Sequence, residues 1–198
     1  MANVLGHSML SMSGAKNTPR KTLELLTQTE VDFFLAKAKE LGNPWYPIWL
    51  MALHTGMRSS ELIALTWDDV YFDKKMIRVR NIKNSKSSCE RFVPMSVSVK
   101  NLLEELKNTS SGKFVLERPQ GWKEKKQSSI LRAFLKSIGI KIIHFQALRV
   151  TWATTMFISG VPLYAIAQMG GWHSLSTLNR YLRCTGTFEF MPKDCFNF

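Results

Sequence analysis

Apolar side chains recur along this chain with two periods, and the change between them divides it. Val31, Phe34, Leu35, Ala38 and Leu41 keep the three-and-four spacing of one helical face. Thr27-Gln-Thr-Glu30 precedes them as a capping box, and Gly42 ends the run. Pro47 opens a second helix of bulky apolar residues to about Gly56, and Ser59 or Ser60 can cap a third carrying Leu62, Ile63 and Leu65. The period then drops to two. Ile77-Arg-Val79-Arg80 alternates apolar and basic, Phe92-Val-Pro-Met95 forms a second short strand, and the polar stretch Asn81 to Arg91 makes a hairpin tip between them. Helical spacing returns at Val99, Leu102, Leu103 and Leu106. A basic loop, Trp122 to Lys126, leads into a helix capped by Ser128, carrying Ile130, Leu131, Phe134, Leu135 and Ile138 and stopped by Gly139. Leu148, Trp152, Ala153 and Met156 share a face up to Gly160. Pro162 restarts a helix through Met169, Gly170-Gly171 breaks it, and Ser174 or Ser176 opens a last short helix holding Tyr181.

This pattern predicts a mainly α fold with one small antiparallel β-sheet (α+β). Residues 1–21, rich in Ser, Gly, Asn and Lys, read as a flexible leader or linker. Residues 22–183 form one folded domain, and 184–198 a tail bearing Phe188, Phe190, Phe196 and Phe198.

Composition narrows the class. A 45% hydrophobic chain of 198 residues can bury a real core, which excludes disorder throughout. The best apolar run, Trp45 to Leu53, is about half of a membrane span. Cys89, Cys184 and Cys195 match no zinc spacing, and His7, His54, His144 and His173 lie far apart, so neither a metal nor another cofactor is expected. An odd number of thiols suits a reducing interior, which predicts a cytoplasmic, nucleoid-associated protein. The formal net charge is +12. Its cations scatter instead of forming one amphipathic stripe, which favours a phosphate-lined groove over a membrane surface.

Three separated segments carry the chemistry: Thr55-Gly-Met-Arg58-Ser-Ser-Glu61-Leu with Leu65-Thr-Trp-Asp-Asp69, then Gln146-Ala-Leu-Arg149-Val-Thr-Trp-Ala-Thr154, then Gly170-Gly-Trp172 with Tyr181 nine residues on. Together they resemble the catalytic domain of the tyrosine recombinases, the phage-integrase family. The Gly-Gly-Trp wording resembles the branch that contains Cre recombinase. The resemblance spans roughly Leu23 to Arg183. It implies double-stranded DNA as substrate, cleavage and rejoining through a covalent 3′-phosphotyrosine, and a homo-oligomer on DNA, a tetramer during recombination, from a protein that can be monomeric in solution.

The resemblance makes Tyr181 the nucleophile and sets Arg58 and Arg149 on the non-bridging oxygens of the phosphate. Guanidiniums suit that task because they fork onto oxyanions and stay charged. An arginine within Ala147-Leu148-Arg149-Val150 is poorly explained as a solvated helix residue. The general acid is expected to be a hairpin lysine, Lys83 in preference to its rival Lys86. Trp172 can donate its indole N–H to the phosphate. Glu61 can orient Arg58, and Asp69 stands at a second supporting position. Lys86, Arg91, Lys123, Lys125 and Lys126 are candidate phosphate contacts, and no metal is implied. Gln146 departs from the family's usual His or Lys. It can still donate a hydrogen bond but takes no proton near neutral pH, which predicts slower cleavage. The family's usual N-terminal clamp domain has no counterpart in the first 21 residues, so weak, strongly salt-dependent DNA binding is expected. The aromatic tail is expected to dock on its own domain or on a neighbouring protomer.

Overall fold

The computed structural model describes residues 24–80, 90–123 and 125–184. The leader, the hairpin tip with Lys83 and Lys86, and the aromatic tail lie outside the described residues.

Helix α1 (Gln28–Glu40) starts as its capping box requires. The Thr27 amide donates to Glu30 at 2.7 Å, and Thr27 Oγ1 accepts from the Glu30 amide at 3.2 Å. Helix α2 (Tyr46–Thr55) is apolar on nearly every side because it runs through the middle of the domain, packed by α1, by α4 (Val97–Thr109) and by α6 (Phe145–Ile158). Phe34 of α1 meets Trp49 of α2 with ring centroids 5.1 Å apart. Full burial of each such side chain contributes roughly 1.5–3 kcal/mol. Helix α3 (Ser59–Leu62) begins on neither serine as a cap: Arg58 stands at the cap, and Glu61 accepts from its amide at 2.7 Å.

The sheet has three antiparallel strands in sequence order, β1 (Val70–Tyr71), β2 (Met76–Val79) and β3 (Arg91–Pro94). Ile77 pairs with Val93 and Val79 with Arg91, so the buried Ile77, Val79 and Val93 face the core. Strand β1 escapes a reading by period because two residues show none. Helix α4 is capped by Ser96, whose hydroxyl accepts from Val99. Helix α5 (Gln127–Ser137) starts one residue before the expected Ser128 cap, and that hydroxyl instead accepts from the Phe145 amide at 3.2 Å, tying α5 to the start of α6. The basic loop before α5 is anchored by Trp122, buried and stacked on Trp45 at 5.5 Å.

Helices α7 (Leu163–Gly170) and α8 (Leu175–Cys184) complete the domain. The buried apolar residues form two clusters. The larger runs from Leu26 to Leu148. The smaller consists of Trp152, Ala153, Ile166, Ala167, Leu178 and Leu182. Helix α6 belongs to both, its first half in the large cluster and its second in the small. Among the described residues no helix is long and apolar enough to cross a membrane, and no group of three His, Cys, Asp or Glu could hold a metal.

Candidate active site

Two turns aim the site. Helix α2 ends at Gly56, whose left-handed backbone (φ 62°) turns the chain toward Arg58; a Cβ there would sit 2.2 Å from the Trp152 ring. Helix α7 ends at Gly171 (φ 69°), and the Trp172 amide closes the turn on the Ala167 carbonyl at 2.9 Å. Here the Gly-Gly-Trp wording acquires a physical reason. A Cβ at position 170 would lie 1.9 Å from the Trp172 ring, and one at 171 would lie 2.9 Å from Arg91 Nη1 and 3.2 Å from Arg58 Nη1. Only two bare backbones let the indole fold back while two guanidiniums pack on the turn.

Arg58 donates from Nη1 to Glu61 Oε1 at 2.9 Å and from Nη2 to the Gly171 carbonyl at 2.5 Å, and its side chain remains 41% exposed. Glu61 is buried. Burial opposes its ionisation, but hydrogen bonds and charge from Arg91, together with Arg58, outweigh that and hold its carboxyl below the usual range.

Arg149 is 6% exposed. It donates from Nη1 to the Gly56 carbonyl, and its guanidinium lies 3.7 Å from the centroid of the Trp172 ring. Trp172 in turn stacks on Trp152 at 6.3 Å with planes 5° apart. Cation, indole and indole therefore form one column, whose two indoles belong with the smaller hydrophobic cluster. Burial, followed by the nearby charge of Arg58, pushes the Arg149 guanidinium down to about 9, with Arg91 adding to that push and Glu61 and Tyr181 opposing it. Among the described residues Arg149 forms no ion pair with a carboxylate.

Arg58, Arg149, Gln146, Trp172 and Tyr181 all line one open cleft of about 420 Å³. They come from α3, α6 and α8 and from the α7–α8 turn. Ser59 and Thr177 line it too. The sequence marked Ser59 only as a helix cap and Thr177 not at all, although Thr177 precedes Tyr181 by one helical turn, a spacing that puts both on one face. Trp152 follows Arg149 by three residues and gave the same kind of signal. Gln146 is exposed at the cleft, whereas His144 is exposed and not among its lining residues. Tyr164 is 63% exposed and accepts a hydrogen bond from Gln168, away from the cleft.

Other sequence candidates lie elsewhere. Asp69 is buried, accepts from Thr66 Oγ1 at 2.7 Å, and pairs with Arg78 at 2.9 Å and Arg80 at 2.7 Å. It braces the strand that leads into the hairpin and does not touch Arg58. Lys123, Lys125 and Lys126 are exposed on the loop before α5 and do not line the cleft. Arg91, a candidate phosphate contact by sequence, has a side chain 13% exposed and directed inward, donating to both Glu61 oxygens at 2.9 and 2.7 Å and to the Met169 carbonyl at 2.6 Å.

The sequence model of the phage integrase family matches residues 24–186, the stretch that builds this fold and cleft. The chain belongs to that family. The integrase of Salmonella phage P22 is 27% identical over 153 residues, which cover 72% of this chain and 40% of that protein. Tyrosine recombinase XerA of Pyrococcus furiosus is 34% identical over 144 residues, covering 69% of this chain and 49% of its own. The chain spans about half the length of the curated relatives it matches. Among solved structures, XerA recombinase superposes with a TM-score of 0.68 at 23% identity, over 88% of this chain and 68% of that one. The catalytic domain of bacteriophage HP1 integrase gives 0.60 at 21%, over 87% of this chain and 97% of that one. The mainly helical fold with a three-stranded antiparallel sheet is therefore that of tyrosine-recombinase catalytic domains.

Proposed function

We propose that this integrase-family chain cuts one DNA strand with Tyr181, holds it as a 3′-phosphotyrosine and rejoins it to a partner strand. The observation that carries this reading is the shared cleft: a phenol, two guanidiniums, an amide and an indole meet there from positions 58 to 181. The Tyr181 oxygen attacks phosphorus as the 5′-oxygen leaves, so the phosphodiester's energy is kept in the covalent link and rejoining needs no nucleotide cofactor. Charge building on the non-bridging oxygens meets Arg58 and Arg149, which are already in place. Such preorganised donors contribute ~3 kcal/mol each. The phosphate also supplies the anion that buried Arg149 lacks. Gln146 donates a hydrogen bond from the cleft rim. Trp172 orients Arg149 through its ring face and keeps its N–H edge for the phosphate.

A hairpin lysine protonates the 5′-oxygen. Lys83 and Lys86 remain the two candidates, and separate alanine variants on a substrate with an activated 5′-leaving group distinguish them, because only loss of the acid is rescued there. Lys123, Lys125 and Lys126 supply phosphate contacts remote from the cleft. Solved relatives support DNA as the partner: Tn1549 integrase is known bound to circular-intermediate DNA, and XerH recombinase bound to difH before and after cleavage. Assembly as a tetramer on DNA, a Cre-like subtype, an intracellular location and docking of the tail beyond residue 183 belong to this same proposal.

The test is adduct trapping on nicked duplexes, where the cut end diffuses away and cleavage cannot reverse. A covalent protein–DNA species is expected from the native chain and none from Tyr181→Phe. Tight binding to DNA without adduct would favour the second reading, a non-catalytic DNA-binding module, which Gln146 keeps open. Relaxation of supercoiled DNA without exchanged strands would favour a type IB topoisomerase-like activity.

A further inference from the structure

Arg91 does not line the cleft, yet it bonds the same carboxylate as Arg58, which does. It is the first residue of β3, where the chain returns from the hairpin that carries Lys83 and Lys86. Its guanidinium grips both oxygens of Glu61, and its Nε holds the Met169 carbonyl. Arg58 grips the same carboxylate and the Gly171 carbonyl two residues further on. The two arginines thus share one buried acid and one helix end, whose carbonyls carry the negative pole of α7.

We propose that Arg91 is a positioning residue of the cleavage centre, holding Glu61 and the end of α7 so that Arg58 presents a net cationic fork to the scissile phosphate. This inference rests on the cleavage reading above. Two effects combine. With Arg91 in place, Glu61 is shared between two cations and Arg58 keeps charge to offer. Without it, Glu61 and Arg58 cancel one for one. The bidentate grip also fixes the carboxylate plane, which a single ammonium cannot do. Through Met169 the same side chain ties the hairpin's return strand to the turn that carries Trp172, so three catalytic segments share one clamp.

The test measures three quantities on the full chain: the rate of adduct formation on a pool of nicked duplexes of randomised sequence, the salt dependence of binding to those duplexes, and thermal unfolding. Arg91→Met is expected to slow adduct formation about 100-fold, the scale of a small misplacement at a reacting centre. The salt slope is expected to stay unchanged, whereas a phosphate-contacting arginine lowers it by about one. In a Glu61→Gln background the same substitution is expected to cost less than about tenfold, because no acid is left to neutralise Arg58. Where Arg91→Met fails to unfold cooperatively, Arg91→Lys is read instead, with about a tenfold slowing expected from loss of the fork. A native adduct rate in the substituted protein, a lowered salt slope, or an equal loss in both backgrounds would overturn the inference. Absence of adduct from the native chain would overturn the cleavage reading and this inference with it; a native adduct that Arg91→Met leaves unaffected would overturn this inference alone.

Discussion

The large cluster and the small one differ in more than size. The large cluster takes buried residues from α1 to α6 and from the sheet, and the short helix α3, capped by Arg58 and carrying Glu61, sets its Leu62 into it. The small cluster comprises six buried residues among those described, and beside it stand Trp172, on the turn between α7 and α8, and Tyr181, on α8. Elements with few buried contacts open at lower free energy than the global core. The proposed nucleophile therefore sits on the more easily displaced part, and the proposed phosphate clamp on the rigid one. They are joined by α6, by the Arg149–Trp172–Trp152 column, and by the two arginines on the carbonyls that end α7. This division suits the proposed strand exchange, in which the phosphate stays clamped while the tyrosine engages and releases.

The largest expected effect comes from breaking the column. Arg149→Leu should slow adduct formation by about 3 kcal/mol, roughly 100-fold or more. The free protein should lose little thermal stability and can gain some, because a buried cation pushed down to about 9 is removed. Single-turnover cleavage and thermal unfolding, measured side by side, check the opposite signs.

Next is the small cluster itself. Leu178 and Leu103 are both fully buried, one in each cluster. Truncating either to Ala should cost about 2–4 kcal/mol. Hydrogen exchange separates them: Leu178→Ala should speed exchange in α7 and α8 and leave α2 protected, whereas Leu103→Ala should lower protection throughout. Equal effects on both regions would erase the contrast.

A smaller effect belongs to the joint between the clusters. Gly171→Ala meets both an unfavourable backbone angle and the Arg91 and Arg58 guanidiniums. It should cost about 1–2 kcal/mol, read as slower cleavage at little change in DNA affinity.

The smallest effect is acid sensitivity. Glu61 and Asp69 both have carboxyls held below their ordinary range. Each therefore contributes stability in full above the usual carboxylate values and loses it as pH falls through the depressed folded value. Glu61→Gln should flatten that acid limb of the stability curve, measured by urea unfolding at successive pH values.

Much of this organisation was legible in the chain. The Thr27 capping box, the glycine stops and the helical faces are local, so local spacing reveals them. What escaped depends on neighbours distant in sequence. Ser59 and Ser128 are good caps by type, but Glu61 reaching the Arg58 amide and Ser128 reaching Phe145 decide those boundaries. Trp172 covering Arg149 joins residues 23 positions apart, which no period marks. Arg91 did leave a signal. It lies two residues before buried Val93, so strand alternation puts both on the inward face. Its basic surroundings in the hairpin pointed outward instead.

The proposed mechanism requires that Tyr181, and no other phenol, reach the phosphorus between Arg58 and Arg149. Digesting the trapped adduct and locating the tyrosine that bears DNA tests it directly. The nucleotide is expected on the peptide containing Tyr181. DNA on Tyr46, Tyr71 or Tyr164, or a Tyr181→Phe protein that still couples to DNA, would contradict it.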